Sequence, residues 1–241
     1  MDQLRLLTFG GLALLVGDVT LTGPATRRHR LALLALLAVA RERGLNRDKI
    51  QAYLWPESAV ERARHGLNQL VYFQRRHLDG DGLFLGRKTL RLNRDLISCD
   101  VWEFEDALEA RSFETAVGLH VGPFLDGFFL KGAPEFERWA TAQRKKRAAQ
   151  CAVALGELAA RAASKGDERQ AVEWWRRAAD LNPFDTDTVL RLVNAWVAAG
   201  DRASAMRCAQ QHEAALRAEL DLPPDPRVTR LMKELRTAAP A

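Results

Sequence analysis

The chain has 241 residues, 47% hydrophobic and 28% charged, which excludes wholesale disorder and leaves room for one large domain or two of ordinary size. Its net charge of +5 suits a polyanionic partner only if the excess is gathered in one place. The longest apolar run, Leu31 to Ala40, is too short to span a bilayer, and Met1 to Gly10 reads as a strand in place of a signal peptide. Cys99, Cys151 and Cys208 match neither a zinc pattern nor a disulfide framework. The expectation is a soluble cytoplasmic protein with buried thiols and no membrane partner.

Taken in chain order, Leu4 to Phe9, Leu12 to Val16 and Val19 to Thr22 are short apolar runs separated by Gly10-Gly11 and Gly17-Asp18. They predict a small antiparallel meander, ended by Gly23-Pro24. Thr26 is placed to cap a helix from about Arg27 to Arg43 whose middle is apolar on nearly every side, the mark of an enclosed core helix. Gly44 stands at its C-terminal cap and Asn46 at the start of a short helix, Arg47 to Leu54, closed by Trp55-Pro56. Ser58-Ala59-Val60-Glu61 has the form of a capping box for a helix running to His77 or Leu78, broken by Asp79-Gly80-Asp81-Gly82. Two strands follow, Leu83 to Gly86 and Thr89 to Asn93, joined by Arg87-Lys88.

After Cys99-Asp100-Val101-Trp102 the pattern is helical. Segments are predicted near Trp102 to Glu109, Ser112 to Leu119, Ala133 to Lys165, Glu168 to Leu181, Thr186 to Ala199, Arg202 to Glu219 and Pro226 to Arg236. The stretch Gly118 to Gly132, with Phe124, Phe128 and Phe129, reads as a packed connector. Gly166-Asp167-Glu168-Arg169-Gln170-Ala171 recurs as Gly200-Asp201-Arg202-Ala203-Ser204-Ala205, an offset of 34 residues and the period of tetratricopeptide hairpins. In the first copy Ala159 and Ala171 mark the closest approach of two helices and Trp175 fills the space between hairpins. Ala209 and His212 make the second copy degenerate.

No phosphate-binding glycine loop, His-Glu-x-x-His, Gly-x-Ser-x-Gly or dinucleotide fingerprint is present, so no enzyme, cofactor or metal site is expected. The informative block is Ala59 to Arg94. Eight basic residues against three acids give it a surplus of five charges, equal to that of the whole chain. Within its helix, Ala63, Leu67, Leu70, Val71 and Leu78 form an inward stripe. Arg64, His65, Asn68, Gln69, Tyr72, Arg75 and Arg76 are left on the other side. A charged helix face is most often a solvated surface. Here it is preceded by a short helix and a brief turn and followed by a basic hairpin, which is the order that lays one helix in the major groove of DNA. Arg62, Arg64, Arg75, Arg76, Arg87 and Lys88 are the candidates for phosphate contacts. Asn68, Gln69 and Tyr72, with His65 beside them, are the candidates for base or near-base contacts. The second basic run, Arg144-Lys145-Lys146-Arg147, reads as a solvated helix face.

Several segments resemble the bacterial transcriptional activator domain proteins, which include the antibiotic regulatory protein (SARP) group. They are Ala63-Arg64-His65-Gly66-Leu67-Asn68-Gln69, Leu83-Phe84-Leu85-Gly86, Leu90-Arg91-Leu92, Cys99-Asp100-Val101-Trp102-Glu103-Phe104-Glu105, Gly200 to Ala205 and Leu216 to Pro226. The resemblance implies a mainly α fold with a small β component. An OmpR-like winged helix over residues 1–98 would precede an all-α, tetratricopeptide-like activator domain over 99–241. It further implies double-stranded DNA and RNA polymerase as partners, side-by-side copies or a homodimer on DNA, Ala59 to His77 as recognition helix and Leu83 to Asn93 as wing. Two departures stand out. Phe73-Gln74 occupies positions where the family usually has a polar or basic residue and then leucine, so this part of the helix is expected to pack differently. Many relatives carry an ATPase or sensor domain after the helical region. None is found by Ala241, which leaves regulatory input absent, in a partner, or lost by truncation. The alternative function is a repeat-type interaction adaptor whose winged helix no longer binds DNA.

Overall fold

The computed structural model describes residues 4–78 and 82–237. Strands β1 (Leu4–Leu7), β2 (Ala13–Val16) and β3 (Val19–Thr20) form the expected meander, with Leu7 opposite Ala13 across the Gly10-Gly11 turn. Helix α1 (Arg28–Ala40) follows, then β4 (Leu45–Asn46), α2 (Arg47–Leu54) and α3 (Val60–His77). Strands β5 (Phe84–Leu85), β6 (Thr89–Leu92) and β7 (Ile97–Cys99) lead into α4 (Asp100–Glu109) and α5 (Phe113–Leu119). The remaining helices are α6 (Pro134–Ser164), α7 (Glu168–Leu181), α8 (Thr186–Ala198), α9 (Arg202–Leu220) and α10 (Pro226–Thr237). The architecture is a winged helix followed by helical repeats. By contacts, the chain divides into one compact unit running to Arg147 and another starting at Ala148.

In the first unit every residue of α1 from Leu31 to Ala38 is buried, as its uniform hydrophobicity requires. Two strand pairings were not legible beforehand. β7 joins β1 in parallel, making a four-stranded sheet of order β3-β2-β1-β7, and β4 pairs with β6 in a second sheet of order β4-β6-β5. At two and three residues, neither segment is long enough to show a period.

The signature after β7 is structural. Asp100 is buried and its carboxylate accepts from Thr8 N (2.7 Å), Thr8 Oγ1 (2.6 Å) and Phe9 N (3.0 Å), pinning the end of β1 to the start of α4. Trp102 donates its indole N–H to the Ala38 carbonyl at 2.6 Å. The glycine-rich connector packs as expected. Phe124 is fully buried, bridges Phe9 and Gly11, and stacks edge-on against Trp139. Phe129 is exposed.

Two capping expectations fail, at Thr26 and Ser58, and a third, at Gly44, is shifted. Thr26 ends a single 3-10 turn, Pro24–Thr26, and its hydroxyl bonds the Gly23 carbonyl, so α1 starts at Arg28 with no side-chain cap. The α-helix stops at Ala40, where Arg41 adopts φ 50° and turns its guanidinium to Glu105 and Asp106 of α4, but a 3-10 turn, Arg41–Arg43, follows directly and Gly44 caps it at φ 61°. Helix α3 has Ala59, not Ser58, as its N-cap residue. Glu61 then falls one position short of the capping-box register and no reciprocal bond forms. The expected break at Asp79-Gly80-Asp81 lies outside the described residues.

The basic run of α6 is also corrected. Lys145 and Lys146 are exposed, but Arg144 is half-buried and donates to the carbonyls of Phe124 and Leu125, both at 2.9 Å. Arg147 is fully buried and pairs with Glu105 at 2.8 Å. Within one turn of the helix the two lysines face solvent and the flanking arginines face the protein, which a cluster of like letters cannot reveal.

In the second unit the 34-residue repeat is visible in hydrogen bonds. Gly166 and Gly200 have φ 77° and 79°. The next residues, Asp167 and Asp201, donate their amides to Ala162 and Trp196 carbonyls at 3.0 and 2.9 Å, closing the preceding helix. Each aspartate then caps the following helix, accepting from Gln170 N and from Ser204 N. Asp185 does the same for α8 through Thr188 N. Ala159 and Ala171 are buried, and Trp175 lies between Gly156 and the cluster of Val172, Leu192 and Ala195. In the degenerate copy Ala209 joins a cluster with Val193, Ala205, Val228 and Met232. His212 is buried and spans the Pro183 carbonyl (3.0 Å) and Thr186 Oγ1 (3.1 Å). Of the thiols, Cys99 and Cys151 are buried and free, while Cys208 is free and half-buried. Burial pushes the Cys151 thiol up to about 11, so it is protonated at neutral pH. No helix among the described residues is long and apolar enough to cross a membrane.

Candidate nucleic-acid interface

Asn46 caps α2 by accepting from Asp48 N at 2.9 Å, which fixes where the short helix begins. The turn after it is built on Trp55. A Cβ placed on Gly66 would lie 3.2 Å from that indole, so α3 approaches the turn as closely as a glycine permits. Trp55 stacks on His29, whose imidazole is held below its ordinary range by burial.

Helix α3 buries Ala63, Leu67, Val71 and Gln74, with Leu78 just beyond. Leu70, expected inside, is half-buried. Gln74 takes an inward place, donating through Nε2 to the Arg30 carbonyl at 3.2 Å. Phe73 lies between the Arg30 guanidinium, 3.3 Å from the ring centroid, and the His77 ring, stacked at 3.7 Å. The departure at Phe73-Gln74 is therefore absorbed by the first turns of α1.

The opposite face carries Arg62, Arg64, His65, Asn68, Gln69, Tyr72 and Arg76, all exposed. Tyr72 accepts from Arg76 Nη1 through its hydroxyl at 3.3 Å. Arg75 does not belong with them. It lies next to the buried stripe, is half-buried, and donates Nη2 to the Phe84 carbonyl of β5 at 3.3 Å.

The wing is the β5–β6 hairpin, with Arg87 and Lys88 exposed at its tip. Gly86 has φ 85°, and a Cβ there would collide with the Thr89 carbonyl, so the tight turn depends on glycine. Among the described residues, Arg62, Arg64, Arg76, Arg87 and Lys88 form no ion pair, in contrast to Arg41, Arg94 and Arg147. Their charge is available to an external anion.

One residue of this surface was missed. Arg47, the first residue of α2, donates Nε to the Arg87 carbonyl at 2.6 Å and Nη1 to Asn68 Oδ1 at 2.9 Å, while its backbone N–H reaches the Lys88 carbonyl at 3.2 Å. It ties the wing tip to the exposed face of α3. The only signal in the sequence was a basic residue directly after a capping asparagine.

The surplus charge is confined to one unit. From Ala148 onward there are thirteen lysines and arginines and thirteen aspartates and glutamates, so the whole net charge of +5 resides before that point.

No curated protein matches the sequence. In structure the chain is similar to Mycobacterium tuberculosis EmbR, solved in complex with a low affinity phosphopeptide, at a TM-score of 0.70 and 19% identity. The similarity covers 100% of this chain and 67% of that one, and at this identity it speaks for the fold. A profile of the bacterial transcriptional activator domain matches residues 99–236, more than half of the chain. That segment takes in the Asp100 and Trp102 anchors and both Gly-Asp repeat caps, and the chain belongs to the bacterial transcriptional activator domain family.

Proposed function

We propose that the chain is a sequence-specific DNA-binding activator of transcription. Helix α3 enters the major groove, the wing grips adjacent backbone, and the repeats hold a protein partner, RNA polymerase or a second copy beside it on DNA. The proposal assigns DNA binding to residues 1–98 and activation to 99–241. The observation that carries it is the exposed row of Arg62, Arg64, His65, Asn68, Gln69, Tyr72 and Arg76, continued by Arg87 and Lys88, with none of these cations consumed by an ion pair among the described residues. Arginines flanking amide side chains combine sequence-independent attraction with groups that can read base edges. Arg75 is reassigned to holding the wing.

A fluorescence-anisotropy titration with duplexes selected from a random library tests this. Wild type is expected to bind in the nanomolar to micromolar range and to weaken steeply as salt rises. Arg64→Ala with Arg76→Ala is expected to lose most of that affinity while keeping the wild-type circular dichroism. Absence of salt-sensitive binding in wild type would favour the adaptor reading. A double variant that binds as tightly as wild type would remove α3 from the interface.

A further inference from the structure

We infer that Arg47 sets which base Asn68 reads: with its amide oxygen held by the guanidinium, Asn68 presents its NH2 group to the groove and selects guanine over adenine. The inference rests on the groove-binding reading of α3 and adds the base class that one position of that helix would recognise.

A guanidinium has five donors and no acceptor, so the Asn68 atom 2.9 Å from Arg47 Nη1 is the oxygen and the amide cannot be turned end for end. Adenine is read by asparagine through two bonds at once, the oxygen accepting from N6 and the nitrogen donating to N7. That reading needs both ends of the amide directed at the base. In this protein the oxygen is directed at Arg47, and the end left for the groove carries only donors. Guanine offers two acceptors there, O6 and N7, and is the edge that matches. Cytosine, which presents a donor, is the worst match.

Arg47 is a firm anchor for this purpose. Its Nε is occupied by the Arg87 carbonyl at 2.6 Å and its backbone N–H by the Lys88 carbonyl at 3.2 Å. The side chain is half-buried, whereas Asn68 is exposed. Arg47 therefore acts as a positioning residue. It acts through Asn68, and its removal should change which base is chosen more than whether DNA is bound.

The experiment uses the full chain and duplexes selected from a random library. The position whose preference disappears in Asn68→Ala is identified first, and affinities for all four bases at that position are then measured by anisotropy. Wild type should prefer guanine to adenine there by roughly tenfold or more. Arg47→Lys, which still offers only donors, should keep guanine first. Arg47→Met, which frees the amide oxygen, should bring adenine to within about threefold of guanine while salt-sensitive binding to mixed-sequence DNA persists. A wild-type preference for adenine at the Asn68 position would overturn the inference and leave the DNA-binding function standing. So would an Asn68→Ala variant with unaltered selectivity, or an Arg47→Met variant as selective for guanine as wild type. Loss of all salt-sensitive binding in wild type would instead remove the function and the inference together. Because the wild-type preference is informative alone, the test survives even if Arg47→Met fails to fold.

Discussion

Gln74 is fully buried on α3, yet only half of its amide is bonded. Nε2 reaches the Arg30 carbonyl, while Oε1 has no hydrogen-bond partner among the described residues. The Arg30 carbonyl lies within α1, where the helix itself supplies a donor, so losing the side-chain bond leaves it satisfied. A buried acceptor without a partner costs about 1–3 kcal/mol, which exceeds the net gain of about 1 kcal/mol from one neutral hydrogen bond. Leucine, which the resemblance gives as the usual residue at this position, fills nearly the same volume. Gln74→Leu is therefore expected to leave stability unchanged or raise it by up to about 2 kcal/mol, read as the urea midpoint. DNA affinity should not change, because Gln74 points away from the exposed face. A midpoint that falls clearly below wild type would mean that Oε1 is satisfied in solution and that the amide contributes to holding α1 against α3.

At the scale of elements, what could be read from the sequence was whatever had a long period or a strong terminator. The apolar middle of α1, the inward stripe of α3 and the 34-residue recurrence of Gly-Asp each extend over several turns, and each was found where it was expected, save that Leu70 of the stripe is only half-buried. The exposed half of the candidate interface followed from the stripe, except at its C-terminal end, where Gln74 turns inward against α1 and Arg75 turns to the Phe84 carbonyl of β5. What escaped was set by tertiary partners. β4 and β7 exist because β6 and β1 offer them an edge, and the start of α3 is fixed by the turn on Trp55 more than by Ser58. Arg144 and Arg147 look like their lysine neighbours in sequence, but only their phase on α6 turns them inward. Arg147 buries its guanidinium against Glu105, whose other oxygen is shared with Arg41, and burial, helped by the like charge of Arg41 and opposed by Glu105, lowers the arginine's affinity for its proton. Truncating one member of such a pair removes packing as well as charge. Arg147→Ala is expected to cost about 3–5 kcal/mol in chemical denaturation. Arg147→Met, which keeps the volume and leaves Glu105 its Arg41 partner, should cost clearly less. Equal losses in the two variants would show that the charge, not the filled space, holds this turn of α6 in the first unit.

For the whole molecule, the two units divide the electrostatic work. All the net positive charge lies before Ala148, and the second unit is neutral, with its surface arginines such as Arg176 and Arg227 paired to nearby carboxylates. Long-range attraction to DNA would then come from the first unit, and the repeats would engage their partner by shape and local contacts, with little net field. This separation has a measurable form. For a protein on B-DNA, the slope of log binding constant against log salt falls by about one for each phosphate contact removed. Removing Arg62 and Arg64 together by alanine is thus expected to reduce the slope by about two and to weaken binding on every sequence alike. The matched control removes two exposed arginines of the second unit, Arg169 and Arg217, which changes the net charge by the same amount. If binding responds to contacts made by the first unit, this control keeps the wild-type slope. If it responds only to overall charge, both double variants lose slope equally, and the assignment of the phosphate contacts to α3 would have to be abandoned.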